Sequence, residues 1–429
     1  MKIININSNN LKARLKSIQK SASTFDPELV KATDKIVEDV RKNGDKALFK
    51  YTKKFDRLNL SKSTVKVSAN EFKEAEKLVS KSLVSDLKKA AKRIESYQKK
   101  KLPKDKLYKD QLGNELGWLI RPLERAGLYV PGGKAAYPST VLMTAIPAKV
   151  AGVKELVVVS PCPDGNINPE VLVASKIAGV DEVYKVGGAQ AVSALAFGTE
   201  SIPKVDKIVG PGNIFVTIAK KLVYGFCDID MIAGPSEVLV IADGSCPDKW
   251  VAADLLAQAE HDEMAITTVV TTDKEYAKLI KKELDKQLSE LQRKDIASVS
   301  IKNNGKIFVV ENIDMAAEIS NAVAPEHLEL CVKSPKSLLK KIIHAGAIFI
   351  GSMSTESFGD YICGPSHVLP TGGAARFSSP LSVYDFVRMP SLISVSKKGF
   401  KSLSDSVMNL AYSEGLEAHA LSVKKRREK

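Results

Sequence analysis

Apolar residues follow two rhythms along this chain. Between residues 155 and 291, short unbroken runs such as Glu-Leu-Val-Val-Val-Ser at 155–160 and Glu-Val-Leu-Val-Ile-Ala at 237–242 alternate with stretches of three- and four-residue spacing. Unbroken β-branched runs mark strands covered on both faces, and the wider spacing marks helices. The pattern predicts strands at 155–160, 182–186, 207–209, 237–242 and 266–271. Helices are expected at 169–178, 189–197, 214–223, 248–260 and 276–291. Upstream, residues 26–100 read as helical, rich in Lys, Glu, Ala and Leu, with a break at Asn43-Gly44. A strand then leads into the Gly/Pro turn at 127–133, and after about Pro380 the rhythm gives way to a charged helical tail.

Strands alternating with helices predict an α/β fold of parallel sheets with helices on both faces. The length fits two such units. The expected boundaries are an N-terminal arm at 1–25, a first sheet domain from 26–128 plus 238–380, a second at 129–237, and a helical tail domain at 381–429.

Composition narrows the setting. The longest apolar candidate, 141–153, is interrupted by Pro147 and Lys149, short of the ~18 residues a spanning helix needs. The start, Met-Lys-Ile-Ile-Asn-Ile-Asn, lacks the pattern of a secretory signal. Five cysteines, none spaced as Cys-x-x-Cys, fit reduced thiols and a cytoplasmic protein with no membrane role. The net charge of +14 raises the question of nucleic acid. Its densest runs, at 99–104 and 424–427, carry no interleaved aromatics, so solvated lysine faces account for them and no nucleic-acid role is expected.

The candidate chemistry sits with four of the five histidines, His261, His327, His367 and His419, each in a short polar-rich motif. Gln258 and His261 are three apart on a predicted helix and share a face. With Asp360 as an oxygen donor they could hold a metal, or they could be a surface glutamine and a histidine facing the helix dipole. Glu326-His327, after Pro325, pairs a carboxylate with a group that titrates near neutrality and suits proton transfer. The alternative is a helix start with Glu326 in its first turn. Gly-rich loops at 130–133, 187–188 and 210–213 follow strands and open helices, as phosphate-binding loops do, but none matches Gly-x-Gly-x-x-Gly. Ser236 has no nucleophile elbow around it and is read as a hydrogen-bonding residue. Cys331 and Cys363 are expected to be buried and inert.

Taken together these segments closely resemble the L-histidinol dehydrogenase family, over roughly residues 30 to 420. The most specific stretch is Ile-Asp-Met-Ile-Ala-Gly-Pro-Ser-Glu at 229–237, followed by Asp-Leu-Leu-Ala-Gln-Ala-Glu-His at 254–261. Segments 127–133, 186–191, 210–213, 324–327, 358–361 and 367–371 also match. The resemblance implies two incomplete Rossmann-like domains, a homodimer, and NAD-linked oxidation of L-histidinol to L-histidine through an enzyme-held aldehyde. It implies one Zn2+ per subunit on Gln258, His261, Asp360 and His419, with His419 and Glu414 in a swapped tail completing the partner's site. Glu326 and His327 would be the acid–base pair. Ser236, His327, His367 and Glu414 would contact substrate beside the zinc ligands, and Tyr129, Gln190 and Asn213 would contact NAD. Residues 364–366 (Gly-Pro-Ser) depart from the family's usual form, which puts that loop's conformation in doubt. The rival readings are a zinc metallohydrolase in which Glu326 activates water, and a non-enzymatic binding protein on the same fold.

Overall fold

A computed structural model describes residues 1–19, 25–132, 137–163 and 165–428. Gly133 of the Gly/Pro turn, and residues 20–24 of the expected arm, lie outside these. The chain divides into two compact units, one from 1–101 and 124–386, the other from 102–123 and 387–429.

The first unit begins with β1 (Lys2–Ile6), α1 (Leu11–Gln19), α2 (Pro27–Asp56), α3 (Ala69–Leu78) and α4 (Lys81–Lys101). The second unit intervenes with β2 (Lys106–Lys109), β3 (Glu115–Trp118) and β4 (Arg121–Pro122). The first then resumes with β5 (Arg125–Tyr129), α5 (Pro138–Ala151), β6 (Glu155–Val159), α6 (Pro169–Ala178), β7 (Glu182–Tyr184), α7 (Gly188–Phe197), β8 (Lys207–Val209), α8 (Ile214–Val223) and β9 (Asp228–Ile229). Next come β10 (Glu237–Ala242), α9 (Asp248–Ala259), β11 (Ile266–Thr271), α10 (Lys274–Glu290), α11 (Lys294–Asn304), β12 (Lys306–Val310) and α12 (Ile313–Val323). It ends with β13 (His327–Cys331), α13 (Pro335–Leu339), β14 (Ala347–Ile350) and α14 (Glu356–Tyr361). The second unit closes the chain with β15 (Val387–Arg388), β16 (Ser391–Ser394), α15 (Lys397–Ser413) and α16 (Glu417–Arg427).

The α/β expectation holds. A five-stranded parallel sheet runs β7-β6-β5-β8-β9, and a six-stranded one β1-β12-β11-β10-β13-β14. Strand β10 shows why its run is apolar throughout. Val238, Val240 and Ala242 pack with α9, α10 and α11 on one face, while Leu239 and Ile241 pack with α12 on the other. Periodicity did not find β1, β12, β13 or β14, nor the antiparallel strands of the second unit. The cause in β2 is plain, since all four residues are exposed and no apolar face marks it.

The helical stretch at 26–100 is three helices. The Asn43-Gly44 break is a kink inside α2, where Gly44 takes φ 51° and ψ −134°. A Cβ there would lie 2.4 Å from the Glu200 carboxylate, whose oxygen accepts the Asp45 N–H at 2.8 Å.

The apolar run at 141–153 is α5, buried on nearly every side. Pro147 inside it removes the N–H that would bond the Met143 carbonyl. That carbonyl accepts the Ser366 hydroxyl instead, at 3.2 Å. A helix defect thus becomes an anchor for the loop at 364–366. Gly364 there takes φ 111°, and a Cβ would stand 2.8 Å from Tyr97 Cβ.

In the second unit β16, β3 and β2 form an antiparallel sheet, β15 pairs with β4, and α15 packs on α16. Segment 102–123 therefore pairs with strands from the chain after Phe386. No described helix is long and apolar enough to cross a membrane.

One buried ion pair fixes the loop after β8. The Lys220 ammonium donates to the Gly210 carbonyl at 3.0 Å and pairs with Asp230, while Asp230 accepts the Gly210 N–H at 2.7 Å. Both side chains are at most 3 % exposed. Replacing Lys220 by Met strands the Asp230 carboxylate and is expected to cost about 3–5 kcal/mol in a urea denaturation. The double variant Lys220→Met with Asp230→Asn should recover part of that loss. A single-variant loss under about 1 kcal/mol, typical of exposed pairs, would contradict the burial.

Candidate active site

The parallel pairing of β10 with β13 sets Val238 opposite His327. Just before this register begins, Glu237 holds both members of the Glu326-His327 pair. Its N–H donates to Glu326 Oε2 at 2.9 Å, and its carbonyl lies 3.2 Å from His327 Nδ1. A carbonyl only accepts, so Nδ1 keeps its proton, and Nε2, facing Asp360, is the nitrogen that gains or loses one. Glu326 Oε2 stands 3.7 Å from Nδ1, and Asp360 Oδ1 3.5 Å from Nε2.

The helix-start alternative for Glu326 does not occur. Ala324 takes φ 53° and ends α12, and His327 opens a strand. Gly346 clamps the turn, where a Cβ would lie 2.6 Å from the Glu326 carbonyl and the Gly346 N–H bonds Pro325 at 2.9 Å.

Burial sets the electrostatics. It pushes the Glu326 carboxyl up to about 7, against a smaller opposing pull from His327. Burial alone would lower His327, but Glu326, Asp360 and Glu356 surround it and raise it well above the usual imidazole value. His327 in turn holds Asp360 below the ordinary carboxylate range despite its burial.

Gln258 lies in the last turn of α9, and His261 two residues past that helix's end. Gln258 is 1 % exposed, and its Oε1 has no hydrogen-bond partner. Asp360 is on α14, and so, one turn earlier, is Glu356. One ligand atom each from His261, Glu356 and Asp360 lies within 4.8 Å of the others. An imidazole and two carboxylates gathered in this way, with an unpartnered buried amide oxygen three residues before the imidazole in the chain, offer donors suited to a divalent cation. Glu356 carried no signal in the hydrophobic pattern, and its only mark in the sequence is the four-residue spacing to Asp360.

His367 Nδ1 lies 3.0 Å from the Asp360 carbonyl, so it too is a donor, and Nε2 accepts from Thr140 Oγ1 at 3.3 Å. Thr140 sits in the first turn of α5, inside an apolar run that hid it. The loop at 364–366 is ordered by Ser366, which donates to Met143 and accepts from the Val368 N–H at 3.2 Å. Ser236 immediately precedes Glu237, and its carbonyl accepts the Ile266 N–H. Glu414 caps the C-terminal end of α15, and His419 lies in α16; both are exposed and belong to the second unit. Cys331 is buried, its thiol raised by that burial, but Cys363 is exposed, contrary to expectation. It follows the short helix α14 on a loop that leaves it at the surface.

Tyr129, Gln190 and Asn213 line one cavity of about 400 Å³. Tyr129 ends β5 and Asn213 follows β8, neighbouring strands from which the chain proceeds to opposite sides of the sheet. Open α/β sheets bind ligands at such a switch point. Tyr129 Oη accepts the Gly188 N–H at 3.0 Å, and Asn213 caps α8 through the N–H groups of Phe215 and Val216. At Gly210 a Cβ would stand 2.2 Å from the Tyr129 carbonyl, so only glycine lets the loop come this close.

Comparison with known proteins agrees over the whole chain. The family model described as histidinol dehydrogenase matches residues 19–427. The histidinol dehydrogenase of Syntrophotalea carbinolica is 50% identical over 423 residues, covering 99% of this chain and 98% of the relative. That of Oceanobacillus iheyensis is 53% identical over 395 residues, 92% of each chain. The crystal structure of histidinol dehydrogenase from Elizabethkingia anophelis superposes with a TM-score of 0.94 at 37% identity, covering 100% of this chain and 98% of that one. The chain therefore belongs to the histidinol dehydrogenase family and is an oxidoreductase.

Proposed function

We propose that this protein carries out the last step of histidine biosynthesis, the four-electron oxidation of L-histidinol to L-histidine with two NAD, at a zinc site. The observation that carries the reading is His327. Its Nδ1 is committed to the Glu237 carbonyl, its Nε2 is open toward Asp360, and Glu326 stands beside it. Simple binding requires no such pair, and membership of a dehydrogenase family sets aside hydrolysis.

When bound, zinc supplies a redox-silent Lewis acid that orients the substrate's nitrogens, and NAD supplies the hydride acceptor. Gln258, His261 and Asp360 would hold the metal. Tyr129, Gln190 and Asn213 would hold the cofactor, and their shared cavity at the sheet's switch point supports that role. His327 Nε2 takes the alcohol proton as the hydride leaves. Glu326 then draws a proton from water as it adds to the aldehyde carbon. Once His327 has passed that first proton to solvent, its Nε2 takes the hydrate's hydroxyl proton, and a second NAD would supply the acceptor for the second hydride. Ser236 and His367 position the substrate, with His367 kept in one tautomer by the Asp360 carbonyl and Thr140.

Glu414 and His419 would complete the site of the partner in a homodimer, His419 as a further zinc ligand. Leu403, Val407 and Leu410 support such pairing, since they form an exposed apolar stripe on α15 in the single chain. The free thiols of Cys227, Cys246, Cys331 and Cys363 are in keeping with a cytoplasmic setting.

Three outcomes are expected. Purified protein given L-histidinol and NAD should form two NADH per histidinol, lose that activity to a chelator and regain it with zinc. One NADH per histidinol would remove the held aldehyde from the mechanism. With the aldehyde as substrate, the rate should rise about tenfold per pH unit below about 7, where Glu326 becomes a carboxylate, and then level off. Glu326→Gln should abolish that limb, and a variant with an unchanged profile would exonerate the residue. Mixed dimers of His419→Ala and His261→Ala subunits should recover one intact site. Silent heterodimers would place the ligands on a single chain.

A further inference from the structure

Three carboxylates stand close together here: Asp254, half-buried on α9, and the buried Glu329 on β13 and Glu356 on α14. Among the described residues no lysine or arginine ion pair reaches any of them, and Oε2 of Glu329 and of Glu356 has no hydrogen-bond partner. Glu329 has a structural task, because its Oε1 accepts the Glu356 N–H at 2.9 Å and fixes the start of α14. Glu356 has none. Its side chain is directed at the His261 and Asp360 ligand atoms, all within 4.8 Å, and the residue is 2 % exposed. A carboxylate so deeply buried is costly without a cation or a donor.

Helical spacing gives this arrangement its form. Glu356 and Asp360 are four apart on α14, and Gln258 in the last turn of α9 is three residues before His261, so each segment carries a pair of donors at helical spacing, and the atoms of Glu356, Asp360 and His261 converge. Zinc commonly takes four ligands of nitrogen and oxygen type.

We propose that Glu356 is itself a metal ligand, completing with Gln258, His261 and Asp360 a four-donor set within the first unit. This rests on the zinc reading above. The set holds the ion without His419, so the subunit is loaded with metal before any neighbour contributes, and His419 is an additional ligand rather than the one that retains it.

The test is zinc affinity, measured by competition with a chromophoric chelator, in full-length wild type, Glu356→Gln, His419→Ala and the double variant. The His419→Ala protein should still bind one zinc per chain. Adding Glu356→Gln to it should weaken binding by more than ~100-fold, beyond the ~10–100-fold that losing an outer-shell partner produces. Cobalt substitution should show a changed visible spectrum in Glu356→Gln, which a residue outside the coordination shell would leave in place. Glu356→Asp, one methylene shorter, should fall between wild type and Glu356→Gln in affinity. The zinc-induced rise in Tm should shrink in Glu356→Gln while the metal-free Tm stays that of wild type, which separates ligand loss from misfolding. Equal affinity in His419→Ala and the double variant, or no binding in His419→Ala alone, would overturn the proposal. If His261→Ala binds zinc as wild type does, the metal site itself is misplaced and the zinc reading fails with it.

Discussion

The chemistry of this protein hangs on the main chain of one residue, Glu237. Its N–H and its carbonyl, on the first residue of β10, hold Glu326 and His327 where the neighbouring strand begins. Backbone groups cannot rotate away as side chains can, so the protonation pattern of His327 is set by sheet register. A one-residue slip of β13 against β10 would turn every side chain to the opposite face and take the pair off the Glu237 main chain. The apolar run of β10, packed into helices on both faces, makes that slip prohibitive. Glu237 is held in turn by its own carboxylate, which accepts the Gly372 N–H at 2.9 Å, and burial with Glu326 nearby pushes it up to about 7.

Around this clasp the protein accumulates negative charge in a dry place. Glu326, Glu329, Glu356 and Asp254 are each raised by burial, with the His327 imidazole pulling the other way on Glu326 and Glu356. A site so arranged sacrifices stability for function: the carboxylates are held by packing and register, not by neutralising partners. The loop after β8 makes the contrast. There the buried charge of Asp230 is met at once by Lys220 and by the Gly210 backbone, and the pair's task is to hold a glycine loop still.

Much of this was legible in the sequence wherever one physical rule acted alone. Strands covered on both faces announced themselves by continuous β-branched runs, and 207–209, 237–242 and 266–271 fell on the residues that form them. Gln258 with His261 and Glu326 with His327 were legible because spacing and residue type pointed to the same chemistry. Glu356 was not, since an acidic residue opening a short helix looks like an ordinary first-turn residue. Thr140 was concealed by the apolar helix that carries it. The bond from Ser366 to Met143 needs a proline four residues beyond the acceptor and a loop more than two hundred residues away, and no local pattern joins them. The 102–123 part of the second unit was hidden, since β2 has no buried face.

The edge strand β1 carries a consequence of another kind. It pairs in parallel with β12, Lys2 beside Lys306 and Ile6 beside Val310. On the ribosome the first residues emerge roughly three hundred residues before their partner exists. Strand β1 therefore waits unpaired until residues 306–310 have been made, an exposed strand open to pairing with other nascent chains over that interval.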